Sequence, residues 1–155
     1  MSAPALTTLS ARQKLKIARL MGCSMEQYYP VAIVTLLCGL LLFGMALTVA
    51  RTHVKTGILA PAMTGHPLLE RAVRAHYNTI EWLLIFLPSM WLFAIYWSPM
   101  WAAGLGLLWL IGRVIYFVGY LFAPTKRYPG FLIQVVATLA LLFGALGRIV
   151  YLALV

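Results

Sequence analysis

Long apolar runs broken by short polar or proline-containing stretches set the pattern of this chain. Residues 31–50 contain no charged side chain. Further apolar runs cover residues 70–97, 101–122 and 131–155. A bilayer core of roughly 30 Å takes about 20 apolar residues per helix, so each run is long enough to span it. Pro61, Gly65 and Pro67 break the stretch 51–69, which the pattern predicts as a loop beginning with Arg51, His53 and Lys55. Ser98-Pro99 predicts a tight turn that makes spans two and three antiparallel neighbours. Pro124 and Pro129 bound a short basic loop, 123–130, that carries Lys126 and Arg127. Pro88 is expected to kink span two. The prediction is an all-α integral membrane protein, a four-helix bundle of up-down topology over residues 28–155.

Composition supports the membrane class. Of the 155 residues, 63% are hydrophobic and only 10% charged, against roughly a quarter charged in a soluble domain. Mean hydropathy is +0.93. Trp97, Trp101, Tyr128 and Tyr151 fall near span ends, where an aromatic belt meets the headgroups. The net charge is +9, from 12 Lys+Arg against 3 Asp+Glu. The basic residues sit at helix ends and inside spans and form no groove-sized patch, so the reading is membrane lipid and no nucleic acid. Positive charges balance between the two sides, and orientation stays open. Cys23 and Cys38 read as small buried thiols. His53, His66 and His76 lack metal-ligand spacing, so no metal is expected, and His66 before Pro67 reads as a loop histidine.

Residues 1–27 form a basic extension. Ser10 and Gln13 resemble a capping box, and Arg12, Lys16 and Arg19 would share one face of a helix lying on the membrane surface. A frayed tail upstream of a start at Met21 or Met25 is the alternative. The apolar run that follows is too long for a cleaved leader, and is read as a retained anchor.

The chemistry lies in polar groups within the spans. Arg71, Arg74, Asn78 and Glu81 fall within an arc of about 80° on span two. Arg113, Tyr116 and Tyr120 share a face of span three, and continuing the helical count brings Arg127 to the same side. Charged groups at membrane depth cost several kcal/mol each unless paired or wet. Arg71, Arg74, Arg113 and Arg127 outnumber the nearby carboxylates of Glu70 and Glu81. Either the stripe is structural glue between helices, or it takes an anion with an apolar companion.

These residues also carry a resemblance. The run from Arg71 and Arg74 through Asn78 to Glu81 resembles the R-x-x-R-A-x-x-N-x-x-E signature of the MAPEG family, membrane-associated proteins of eicosanoid and glutathione metabolism. Gly112-Arg113 followed by Tyr116 and Tyr120 resembles that family's third-helix motif. The nearest branch is that of microsomal glutathione transferase and the leukotriene-forming synthase. The resemblance covers about residues 51–130. It implies a homotrimer with glutathione in clefts between subunits, contacted by Arg51, Arg71, Arg74, Asn78, Glu81, Tyr116 and Tyr120. It also implies that Arg127 stabilises the glutathione thiolate, with Arg113 the second candidate for that catalytic role. His76 and Trp82 depart from the leukotriene branch, which bears on substrate identity.

The function expected is a membrane-bound glutathione transferase that attacks an apolar electrophile, with peroxidase activity toward lipid hydroperoxides as a variant of the same chemistry. The alternative is a non-catalytic lipid-binding scaffold, like the family's lipoxygenase-activating protein. A small transporter ranks last, since the spans lack the Gly/Pro-broken repeats of carriers apart from Pro88.

Overall fold

The computed structural model describes Ser10, Arg12 and residues 25–155. The N-terminal extension, with its expected surface helix and Cys23, lies outside the described residues apart from Ser10, Arg12 and 25–27. Four helices follow: α1 Tyr29–Thr56, α2 Pro67–Tyr96, α3 Pro99–Phe122 and α4 Tyr128–Leu154, with a 3-10 turn Pro124–Arg127 before α4. Each is long and apolar enough to cross a bilayer. The turn at Ser98 makes α2 and α3 antiparallel as expected.

Three boundaries differ from the hydropathy pattern by three residues or more, among them the start of α4, at Tyr128 rather than 131, with Pro129 in its first turn. The helix α1 does not stop at Ala50. It continues through Arg51, His53 and Lys55, and ends where Gly57 turns left-handed at φ 69°. Hydropathy marks where the bilayer ends, whereas the helix ends only at a residue that favours positive φ. Helix α2 likewise starts before Glu70, at Pro67. His66 is its N-cap rather than a simple loop residue, with Nδ1 accepting the Leu68 N–H at 3.1 Å. Glu70 sits in this first turn, where a carboxylate suits the helix dipole, and accepts the Gly65 N–H at 3.1 Å. The 30-residue α2 runs through Pro88 and is about 45 Å long, so its first turns project beyond the apolar slab.

Helix α2 packs against all three other helices; α1 meets α2 and α3, and α4 lies most extensively along α3. The core is aromatic and small-residue packing. Phe86 stacks on Trp109 with centroids 4.2 Å apart, and both are fully buried with Met90, Ala102 and Leu141. Gly106 lets α3 approach Met90 and Val34, and Gly144 lets α4 approach Phe93. The closest backbone approach joins α3 to α4. A Cβ on Gly130 would land on the backbone of Tyr116 and Gly112, and one on Gly119 would land on the Lys126 carbonyl. Gly104 and Gly147 have nothing within 4 Å of their Cβ positions and make no such close approach.

The outward surface is apolar. On α1, Leu36, Leu40 and Phe43 are 63–70% exposed, as lipid-facing side chains are. Trp97, Trp101, Tyr128 and Tyr151 are exposed at helix ends, where the aromatic belt was expected. Cys38 is buried and free.

Candidate functional site

At the end of the bundle that carries the 57–66 loop and the 3-10 turn, a cleft of about 700 Å³ opens between α2 and α3. That volume lies in the range of pockets that hold drug-sized ligands. Its polar wall comes from Glu70, Arg71, Arg74, Tyr77, Glu81 and Tyr120, and its apolar wall includes Met63, Pro67 and Val73. Four of the residues expected from the sequence therefore meet in one place: Arg71, Arg74, Glu81 and Tyr120. They do so because the first turns of α2 face the last turn of α3.

The charges of the cleft are not balanced within the chain. Among the described residues, the Nε of Arg71 is buried without an acceptor. Glu81 accepts from Asn78 Nδ2 at 3.3 Å. Among the described residues, neither Glu81 nor Glu70 forms an ion pair with an arginine. A donor buried without an acceptor is costly, and with Arg71 and Arg74 both on its wall the cleft would favour an anion.

Arg113 takes a different position from the one the helical count suggested. It is fully buried and is not on the cleft wall. Its Nε donates to Thr79 Oγ1 at 2.8 Å, and its Nη2 donates to the same oxygen at 2.7 Å. Nη1 donates to Gln134 Oε1 at 2.6 Å, and Nη2 also reaches Asn78 Oδ1 at 3.0 Å. The ring of Tyr116, 3% exposed, lies 4.2 Å from the guanidinium carbon. Every acceptor is neutral, so the guanidinium is hydrogen-bonded but keeps its full charge. Asn78 and Tyr116 are thus partners of Arg113, and neither is a wall of the cleft.

Arg127 is brought close by the 3-10 turn. Because Gly119 has no side chain, the turn folds onto the last turn of α3. The Arg127 guanidinium carbon then sits 4.8 Å from the Tyr120 ring centroid, a cation–π distance. It flanks the cleft through Tyr120 instead of lining it. Arg51, exposed near the end of α1, does not line the cleft of its own chain. Among the described residues no group of His, Cys, Asp and Glu is arranged to hold a metal.

Thr79, Gln134 and Tyr77 were not singled out in the sequence. A signal existed for Gln134: an amide inside an apolar span needs a partner. Thr79 gave none, because a threonine in a membrane helix is commonly satisfied by its own backbone.

The MAPEG family profile matches residues 31–147 of the chain. The chain belongs to the MAPEG family. Among MAPEG-related proteins, an uncharacterised protein of Synechocystis sp. is 42% identical over 120 residues, which cover 77% of this chain and 88% of that protein. Human microsomal glutathione S-transferase 2 is 39% identical over 103 residues, 66% of this chain and 70% of the relative. Leukotriene C4 synthase of Cavia porcellus is 38% identical over 90 residues, 58% and 60% of the two chains. This MAPEG chain is an integral, multi-pass membrane protein.

Proposed function

We propose that the chain is a membrane-bound glutathione transferase that works as a homotrimer. The observation that carries this reading is the cleft itself. It combines two arginines, one with a buried unpaired Nε, a carboxylate free of ion pairs, and Tyr120 with Arg127 stacked behind it. Glutathione has two carboxylates, an ammonium and a thiol, and each finds a partner. Arg71 and Arg74 suit carboxylates by forked hydrogen bonding. Glu81 suits the ammonium. The Tyr120–Arg127 end suits the sulfur. Similarity to microsomal glutathione S-transferase 2 supports the same ligand. In a trimer, Arg51 on the outer end of α1 serves the cleft of the neighbouring subunit.

The chemistry is nucleophilic. A free thiol has a pKa of about 8.5, and each unit of depression needs about 1.4 kcal/mol of preference for the thiolate. One guanidinium in a partly dry site supplies about one to two units. The thiol proton leaves to solvent, and the sulfur lone pair forms a bond to an electrophilic carbon whose leaving group departs with its electron pair. The apolar outer faces of the bundle fit an electrophile that arrives from the bilayer, a lipid or a hydrophobic xenobiotic. In the peroxidase variant the thiolate attacks the terminal oxygen of a lipid hydroperoxide, the O–O bond breaks and the lipid leaves as its alcohol after taking a proton. A second glutathione then converts the resulting sulfenic acid to disulfide and water.

The test is the ultraviolet thiolate absorbance of glutathione bound to purified protein in detergent. At neutral pH the band is expected with wild type and is reduced about tenfold or more in Arg127→Ala. Equal bands remove Arg127 from the mechanism. Wild type should also conjugate a chloronitrobenzene dye in a glutathione-dependent manner. No turnover with lipid binding intact would favour the scaffold.

A further inference from the structure

We propose that Thr79 and Gln134, acting through buried Arg113, are positioning residues that orient Glu81 for the ammonium of the bound tripeptide. The proposal rests on the reading of Glu81 as the ammonium partner. It adds residues that lie outside the arginine–asparagine–glutamate stripe and have no access to the cleft, being 1% and 0% exposed.

The geometry is a relay from a buried cation to a carboxylate at the cleft. The amide of Asn78 stands between Arg113 and Glu81, with Oδ1 3.0 Å from Arg113 Nη2 and Nδ2 3.3 Å from Glu81 Oε2. A guanidinium has only donors and a carboxylate only acceptors. The amide therefore has one acceptable orientation, oxygen inward and nitrogen outward. The relay holds only while the guanidinium plane is held. Thr79 donates its hydroxyl hydrogen to Ala75 O at 2.8 Å, which leaves its two lone pairs for Nε and Nη2 of Arg113. Gln134 on α4 receives Nη1. The plane is thus fixed by neutral oxygens from α2 and α4. Its charge stays uncancelled, and the Asn78 dipole points that charge toward Glu81. A carboxylate in place of either residue would cancel the charge and weaken the relay.

The experiment measures, by calorimetry on the detergent-solubilised protein, the affinity for glutathione and for the analogue that lacks the α-amino group. Wild type should prefer glutathione. Thr79→Val, which keeps the shape and removes both acceptor pairs, should weaken glutathione binding about tenfold and leave the deaminated analogue unaffected. Thr79→Ser should restore the preference. Gln134→Met should act in the same direction and serves as the deciding variant if Thr79→Val does not fold. Equal weakening of both ligands would mean general loosening of the core and would overturn the proposal, as would full preference retained in both variants. A wild type that binds the two ligands equally would instead overturn Glu81 as the ammonium partner, and the proposal with it.

Discussion

Gly130→Ala is expected to prevent α4 from docking on α3. The added methyl would occupy the space of Tyr116 N and Gly112 O, which are backbone atoms that no rotamer change can move aside. The helices would have to separate, and the Arg113–Gln134 hydrogen bond at 2.6 Å spans the same pair of helices. Overpacking in a core costs about 1–3 kcal/mol when side chains can yield. Here they cannot, and the loss should exceed about 3 kcal/mol, a large fraction of the stability of a domain this size. Thermal unfolding in detergent, followed by size-exclusion chromatography, is the measurement. Gly147→Ala is the control, since nothing lies within 4 Å of its Cβ position. It should stay within about 1 kcal/mol of wild type. Equal stability of the two variants would contradict the packing described for α3 and α4.

The second large effect is expected at Arg113. Arg113→Leu should destabilise the bundle by about 3 kcal/mol or more, the summed cost of the neutral acceptors it leaves unsatisfied. Two effects compete. Removing a buried charge relieves its desolvation. It also leaves Asn78 Oδ1 and Gln134 Oε1 without donors and Thr79 with two idle lone pairs, at about 1–3 kcal/mol for each unsatisfied group. The second effect wins because three side-chain acceptors on two helices converge on one guanidinium. Arg113→Lys keeps the charge on a single nitrogen that cannot serve three diverging acceptors, so it should recover only part of the loss. The midpoints of thermal unfolding rank the three proteins, and an Arg113→Leu protein as stable as wild type would show that the network contributes nothing net.

Helical spacing brought several of the candidate residues to one cleft, and the places where position departs from spacing have physical causes. Arg71, Arg74 and Glu81 were placed together because residues three and four apart share a helix face, and they do line one cleft. Spacing on a helix gives direction but not depth. Arg113 and Arg127 were assigned to one face, yet one is sealed among Thr79, Asn78 and Gln134 while the other stacks on Tyr120 at the rim. Depth depends on which helix lies opposite. The 3-10 turn was invisible for a related reason: it forms where Gly119 leaves room for the Lys126 carbonyl, a contact between residues on different elements.

By itself the amino-acid order determined the membrane class, the number of spans, their antiparallel sequence and the surplus of arginine over carboxylate. These follow from local hydropathy, from proline and glycine placement and from simple charge counting, and none requires knowing a neighbour. Only the tertiary structure decided which arginines line the cleft and which is buried between helices. That outcome depends on the register of α3 against α4 and α2, which the close approach at Gly112 and Gly130 sets to within an atom's width. A guanidinium behaves as a structural tie when neutral oxygens from two helices surround it, and as a binding group when one side stays open to a cleft.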